Sequence, residues 1–218
     1  LQNHNHKKHT HIYLIRHGET DWNVAKRFQG QSDVPLNNNG LHQAHAVTAW
    51  LTRQDMAFNA IYSSDLMRCT QTADPIGKAL KLDIFTDARL REIHCGEWEG
   101  STAHTIDSKT PGILTRWRQE ADTFRMPGGE NVSDVVVRVS AFYEETIVKH
   151  LGENIIIIAH GGSIAALLIA IEGLNIVQAW NDSSRRIHNT GVSILSLDHL
   201  TGTHDVLQFN LLEHLIQV

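Results

Sequence analysis

Cysteine is scarce. The chain has two, Cys69 and Cys95, and their spacing is not that of a metal site. Two such thiols suit a reducing, cytoplasmic setting in which both stay free, with one disulfide as the covalent alternative. Positive charge is not in excess either. A formal net charge of −5 gives no global field for nucleic acid or for an anionic membrane, so neither is expected as a partner. An anionic ligand has to be drawn in by a local cluster of cations. The N-terminus carries no apolar leader, so no export is expected. Internal repeats, low-complexity tracts and interdomain linkers are missing, and no set of residues reads as a metal or cofactor site.

The one long apolar run covers residues 155–174. Its centre holds His160-Gly161-Gly162-Ser163, which is costly in hydrocarbon. A buried strand, a glycine turn and a helix account for the run better than a membrane span does.

What is present is the makeup of a globular chain. Of 218 residues, 41% are apolar and 20% charged, enough to bury a core. Residues 1–11 stand apart. His4, His6, His9 and His11 lie in a polar, lysine-bearing run that reads as a disordered tail without function. Residues 12–218 then form a single domain.

Ile12-Tyr13-Leu14-Ile15 is short, apolar and β-prone, hence a buried strand. A polar loop punctuated by Pro35 and Gly40 follows. Next comes a helix with Leu41, Ala44, Val47 and Leu51 on one face. Residues 60–63 make a second strand, and Ser64 or Asp65 is placed to cap the helix after it. In that helix Leu66, Cys69, Ala73, Ile76 and Leu80 form an apolar stripe, which Pro75 should kink or cut short. Residues 82–86 read as another strand. Residues 101–126 read as a polar, partly helical lid or specificity insertion, anchored by Trp117. The spacing of Val132, Val135, Val139, Phe142, Tyr143 and Ile147 predicts a helix over 132–151, with Asn131 as N-cap. Four isoleucines within residues 154–159 lack polar alternation, as in a parallel strand covered on both faces. A helix over 163–172 follows. Residues 192–198 and 206–210 read as a hairpin at the sheet edge, open to a second copy, so a homodimer is one option. This order implies an α/β fold, a three-layer α/β/α sandwich with a mostly parallel sheet.

Three strand ends carry functional groups: Arg16-His17 after the first strand, Arg68 after the second, and His160 after the isoleucine strand. In open parallel sheets ligands bind outside the carboxyl ends of strands, so these groups face one crevice. Two guanidiniums and two imidazoles suit a phosphoryl group. Arginine offers paired planar donors to its oxygens, and a neutral histidine can attack phosphorus. Gly161 and Gly162, at a helix start, add backbone N–H donors. Each group taken singly also has a plain structural reading, as a turn glycine, a surface charge or a hydrogen-bonded histidine. Their coincidence after strands is what points to chemistry.

With these residues in view, the chain resembles the histidine phosphatase superfamily, also called the phosphoglycerate mutase-like family. The resemblance rests on Arg16-His17-Gly18-Glu19-Thr20 followed by Asn23, on the segment around Arg68-Cys69-Thr70, on Arg91-Glu92 with Gly96-Glu97-Trp98-Glu99-Gly100, and on Ala159-His160-Gly161-Gly162. It covers residues 12 to about 210. It implies that His17 is the nucleophile that becomes phosphohistidine. Arg16, Arg68 and His160 then hold the phosphoryl oxygens, and Glu92 is the general acid for the leaving alkoxide and later the base for water. It makes Asn23 and Gln29 phosphate or substrate contacts. It implies no metal and no cofactor. The alternative for Glu92 is a surface glutamate paired with Arg89 or Arg91. The Trp98-Glu99-Gly100 segment is similar to the phosphatase branch, including broad-specificity bacterial phosphatases. The expected activity is therefore a histidine acid-type phosphomonoesterase acting on small phosphorylated metabolites. A mutase and a non-catalytic phospho-ligand binder are the alternatives. Specificity is expected in the lid, with His104, Arg116, Arg118 and Arg125 as candidate contacts.

Overall fold

The isoleucine strand sets the architecture. In β4 (Asn154–Ala159), Ile155 and Ile157 face one side and Ile156 and Ile158 the other, all at most 1% exposed. A strand sealed on both faces has to lie inside a sheet with a layer on each side. Each such side chain contributes about 1.5–3 kcal/mol by burial. The protein, a computed structural model that describes residues 9–216, has this arrangement. His4 and His6 lie outside the described residues.

Six strands stand in the order β3-β2-β4-β1-β5-β6. They are β1 (His9–Arg16), β2 (Ala60–Ser63), β3 (Ile84–Thr86), β4, β5 (Val192–Asp198) and β6 (Thr203–Leu211). The first four run parallel, and β5 and β6 complete the sheet antiparallel as the expected edge hairpin. One face packs against α2 (Asn38–Leu51) and α3 (Met67–Leu80) through Val47, Leu51, Cys69, Ala73 and Ile76. The other packs against α6 (Val132–Ile147) and α7 (Gly161–Glu172), together with the lid helices α4 (Ala103–Lys109) and α5 (Ile113–Gln119). The remaining helices are α1 (Asp21–Val24) and α8 (Ile176–Asn181). Among the described residues no helix is long and apolar enough to cross a membrane. Residues 155–174 are β4, a turn and α7.

Several expectations shift. The first strand begins at His9, so residues 9–11 belong to the sheet and not to a tail. Thr10 is fully buried there because its hydroxyl is satisfied, donating to His150 O (2.6 Å) and accepting from Gly152 N–H (3.0 Å). Pro75 does not end α3, which continues to Leu80 while Cys69, Ala73 and Ile76 stay buried. Neither Ser64 nor Asp65 caps that helix. The N-cap is Leu66, and the Met67 N–H is taken by Asp33 Oδ1 (2.6 Å) from a distant loop. Asp65 instead pairs with Arg91. Asn131 does cap α6, in a reciprocal box with Asp134. The lid is no free flap. Ile106 and Leu114 are buried, and Trp117 meets Phe28 and Trp98 edge-on.

The register brings the site together. Arg16 pairs with Ala159 and Ser63 with Ile158, so His17, Ser64 and His160 leave the sheet side by side. His17 N–H bonds Ala159 O (3.0 Å), and Ser64 N–H bonds Ile158 O (2.9 Å).

Candidate active site

His17 follows β1 and is 2% exposed. Its Nδ1 lies 2.7 Å from Gly18 O. A carbonyl only accepts, so Nδ1 carries the proton and Nε2 of the neutral ring keeps its lone pair. Burial first, then Arg16 and Arg68, hold its pKa well below the usual histidine range. The next residue has to be glycine. A Cβ at Gly18 would stand 2.6 Å from Gly40 O at the start of α2. Gly18 N–H donates to Thr72 Oγ1 (3.0 Å), which ties this turn to α3.

A late segment grips the same turn from the other side. Arg16 N–H bonds Gly191 O (3.3 Å), and Thr190 N–H bonds Arg16 O (3.0 Å). Asn189 Nδ2 donates to His17 O (3.0 Å), and Arg16 Nη1 to Ile187 O (2.7 Å). Thr190 sits at φ +54°, a left-handed conformation that a β-branched residue adopts only when its surroundings impose it.

Arg16 Nε is buried with no acceptor in the protein. An orphaned cationic donor in a crevice is what an absent anion leaves behind. Arg68 is fully buried and differently occupied. It donates from Nη1 to Ser32 O (2.8 Å), from Nη2 to Gly30 O (2.7 Å) and from Nε to His160 Nδ1 (3.1 Å). The 30–32 loop is fixed by Glu99, whose Oε1 accepts Gln31 N–H (2.9 Å) and whose Oε2 accepts the Ser32 hydroxyl. Because Nδ1 of His160 accepts, its Nε2 carries the proton and donates to Ser64 Oγ (2.9 Å). The His160 ring lies 5.1 Å from that of His17. Burial, then Arg68, His17 and Arg16, hold it well below its usual range. Both nitrogens of His160 are thus engaged by protein, and contact with a phosphoryl oxygen requires one of those bonds to exchange.

Glu92 lies across the crevice. Its Oε2 accepts Gly162 N–H (3.0 Å) and its Oε1 accepts Ile93 N–H (2.9 Å). The Gly162 N–H, expected to face the ligand, is therefore used to hold Glu92. Gly161, the first residue of α7, stays beside Arg16: a Cβ there would stand 3.6 Å from Arg16 Nε. Glu92 is not the partner of its neighbours. Arg89 pairs with Asp87 and Glu145, and Arg91 with Asp65. Arg138 fastens the loop through the carbonyls of Arg89, Arg91 and Glu92.

Asn23 and Gln29 flank the turn. Asn23 Oδ1 accepts Thr20 N–H (3.1 Å) and Asn189 Nδ2 (3.2 Å), and Gln29 Oε1 accepts the Thr20 hydroxyl (3.0 Å). With the oxygens so held, the carboxamide NH2 groups are the ends left to donate. Cys69 and Cys95 are free and buried. Burial pushes both thiols up, so they stay neutral packing groups.

Next to Arg16 opens a cavity of about 430 Å³, between α5, α8 and the turn Ser183–Arg185. Trp117 and Trp180 line it. Of the four lid residues expected at the substrate, only Arg118 does so. Arg116 pairs with Glu120 (3.0 Å) and Arg125 with Asp134 (2.7 Å), while His104 is exposed on α4. Sequence reasoning missed Trp180, Arg186 and Asn189, all in a stretch that it left unread. The cluster Arg185-Arg186 before Asn189-Thr190-Gly191 was the available signal.

Residues 12–210 match the family described as histidine phosphatase superfamily (branch 1). The chain is 36% identical over 193 residues to a probable phosphoglycerate mutase GpmB of Serratia proteamaculans, covering 86% of this chain and 84% of that one. It is 29% identical over 204 residues to phosphoserine phosphatase 1 of Hydrogenobacter thermophilus, covering 94% and 93%. Among solved structures, a mycobacterial glucosyl-3-phosphoglycerate phosphatase superposes with a TM-score of 0.82 at 32% identity, over 92% of this chain and 98% of that one. With its fold, its paired arginines and its two buried histidines, the chain belongs to the histidine phosphatase superfamily.

Proposed function

We propose that the protein is a phosphomonoesterase that hydrolyses small phosphorylated metabolites through a phosphohistidine on His17. One observation carries the reading. The Nδ1 proton of His17 is fixed on Gly18 O, so an unprotonated Nε2 stands between two buried arginines, one of them with an orphaned donor.

In the first step Nε2 bonds to phosphorus as the P–O bond to the alcohol breaks. Arg16 and Arg68 offset the charge on the phosphoryl oxygens, and the Gly161 N–H adds a donor. Glu92 gives its proton to the departing alkoxide, help worth about 10²–10⁴ in rate. In the second step Glu92 takes a proton from water as its oxygen bonds to phosphorus, the P–N bond breaks and phosphate leaves. His160, held by Arg68 and Ser64, donates to the phosphoryl oxygens once one of those bonds exchanges. Asn23 and Gln29 donate from their NH2 groups. A histidine kept neutral below its usual range fits activity in acid, the histidine acid type.

A second reading is favoured by the relative named a probable phosphoglycerate mutase: the phosphoryl group passes to another hydroxyl in place of water. Incubation with p-nitrophenyl phosphate in the presence of a chelator separates the readings. Steady release of inorganic phosphate, lost in His17→Ala, supports hydrolysis. Retained turnover in His17→Ala overturns the assignment of the nucleophile. Interconversion of 2- and 3-phosphoglycerate that depends on a bisphosphate primer, with little phosphate released, favours the mutase.

A further inference from the structure

Two arginines on the wall of the cavity beside Arg16 have no acid to answer them. Arg185 is spoken for by Glu172. Asp182 spends its carboxylate on its own turn, accepting Ser184 N–H (2.9 Å) and Oγ–H (2.7 Å). Arg118 on α5 and Arg186 after the turn Ser183–Arg185 make no ion pair or side-chain hydrogen bond among the described residues. They come from two separate elements yet line one cavity. Elsewhere in the lid, Arg116 and Arg125 are both neutralised. The unpaired cations are therefore the ones that face this space.

The cavity is continuous with the reaction centre. Its floor is Arg16, Gly161 and Gly162. A Cβ at Gly162 would meet the Trp180 ring at 3.0 Å and Glu92 Oε1 at 2.2 Å, so the Trp180 wall begins at the group that protonates the leaving oxygen. Trp117, on the same lining, holds a buried Nε1–H without an acceptor, a second unanswered donor beside Arg16 Nε. The lid and the α8 wall are joined where Asn181 Nδ2 donates to Arg118 O (2.8 Å), so the two sides form one enclosure. Arg186 is also close enough to Arg16 to help lower its pKa, after burial and Arg68.

We propose that this cavity is the leaving-group subsite, and that Arg118 and Arg186 select phosphomonoesters whose alcohol carries a second anionic group, a carboxylate or another phosphate. The proposal rests on the phosphatase reading of the site. The phosphoryl group takes Arg16 and Arg68, the alcohol oxygen lies at Glu92, and the rest of the alcohol runs along Trp180 toward the two free guanidiniums. Guanidiniums bind carboxylate and phosphate through the same planar donor pair, so both sources share one recognition chemistry. Because both arginines are exposed, the preference should weaken as salt rises.

Matched pairs test it. O-Phosphoserine and O-phosphoethanolamine differ only by a carboxylate. Fructose 1,6-bisphosphate and fructose 6-phosphate differ only by a second phosphate. The expected result is a kcat/KM about tenfold or more higher for the acidic member of at least one pair, the pair naming the source. In the double variant Arg118→Ala/Arg186→Ala that ratio should fall toward one, and in Arg186→Glu it should invert. Equal kcat/KM within both pairs, or a ratio untouched in the double variant, overturns the proposal. Hydrolysis of p-nitrophenyl phosphate reports separately on the phosphatase reading. If nothing is hydrolysed, calorimetry of the same pairs on His17→Ala still decides: tighter binding of the acidic members supports the subsite, and equal affinities overturn it.

Discussion

Arg68 and His160 are hydrogen-bonded to each other, Nε to Nδ1 at 3.1 Å, both without solvent exposure. The bond fixes which nitrogen of the histidine is protonated. It also makes the arginine a structural hub, since its other donors hold the carbonyls of Gly30 and Ser32. One guanidinium thus joins α3, the loop after α1 and the turn after β4.

Arg68→Lys is expected to cost far more than a charge-conserving change suggests. An ammonium cannot serve three acceptors set out for a planar fork. Each buried acceptor left unpaired costs roughly 1–3 kcal/mol. Urea denaturation should show a lower midpoint, and steady-state kinetics should show kcat reduced by about 10²-fold or more. Wild-type kinetics in the lysine variant would remove Arg68 from the phosphoryl clamp.

His17 and His160 are both held well below the usual histidine range, and burial lowers His214 to about 4. The sign follows directly. The unfolded chain takes up protons near pH 6.5, whereas the native protein does so only at lower pH. Stability is therefore full above about 6.5 and declines as pH falls below it, until the native pKa values are reached. Chemical denaturation between about pH 7.5 and 4.5 should show this loss. Over the same range a neutral His17 keeps its nucleophilic form, so kcat/KM should not fall with an apparent pKa near 6.5 that belongs to this residue.

Asn189 holds the nucleophile by its backbone, through His17 O, and bonds Asn23 Oδ1 as well. Asn189→Ala is expected to lower stability by only ~1 kcal/mol. Its effect on kcat should be larger than on KM, since a small displacement of the attacking nitrogen penalises the transition state more than binding. Equal changes in both constants, or none, would mean that Asn189 only packs.

The strand ends were legible because each follows a run whose composition already dictates a buried strand. Ile12 to Ile15, Ala60 to Ser63 and the four isoleucines announce themselves, and Arg16, His17, Arg68 and His160 sit just after them. The α8 wall was not legible. Residues 176–191 hold too few apolar positions to show a period, and their place is set by what they touch: Arg16, His17 and the lid. The cap of α3 was hidden for a related reason. Asp33 is remote in sequence from Met67, and no local rule links them. Thr10 and His9 read as tail because a polar residue in a strand looks exposed until its partners, His150 and Gly152, are known.

The grip of Ile187, Asn189, Thr190 and Gly191 on Arg16 and His17 bears on how the protein is made. The first strand to leave the ribosome is a central one, and its two neighbours, β4 and β5, are synthesised near the end. Contacts of such long sequence separation form slowly. A nascent chain stopped before Ile187 carries the nucleophile but has nothing to hold its carbonyl or to anchor Arg16. Chemical competence therefore arrives late and all at once in synthesis, when the far end of the chain closes over the beginning.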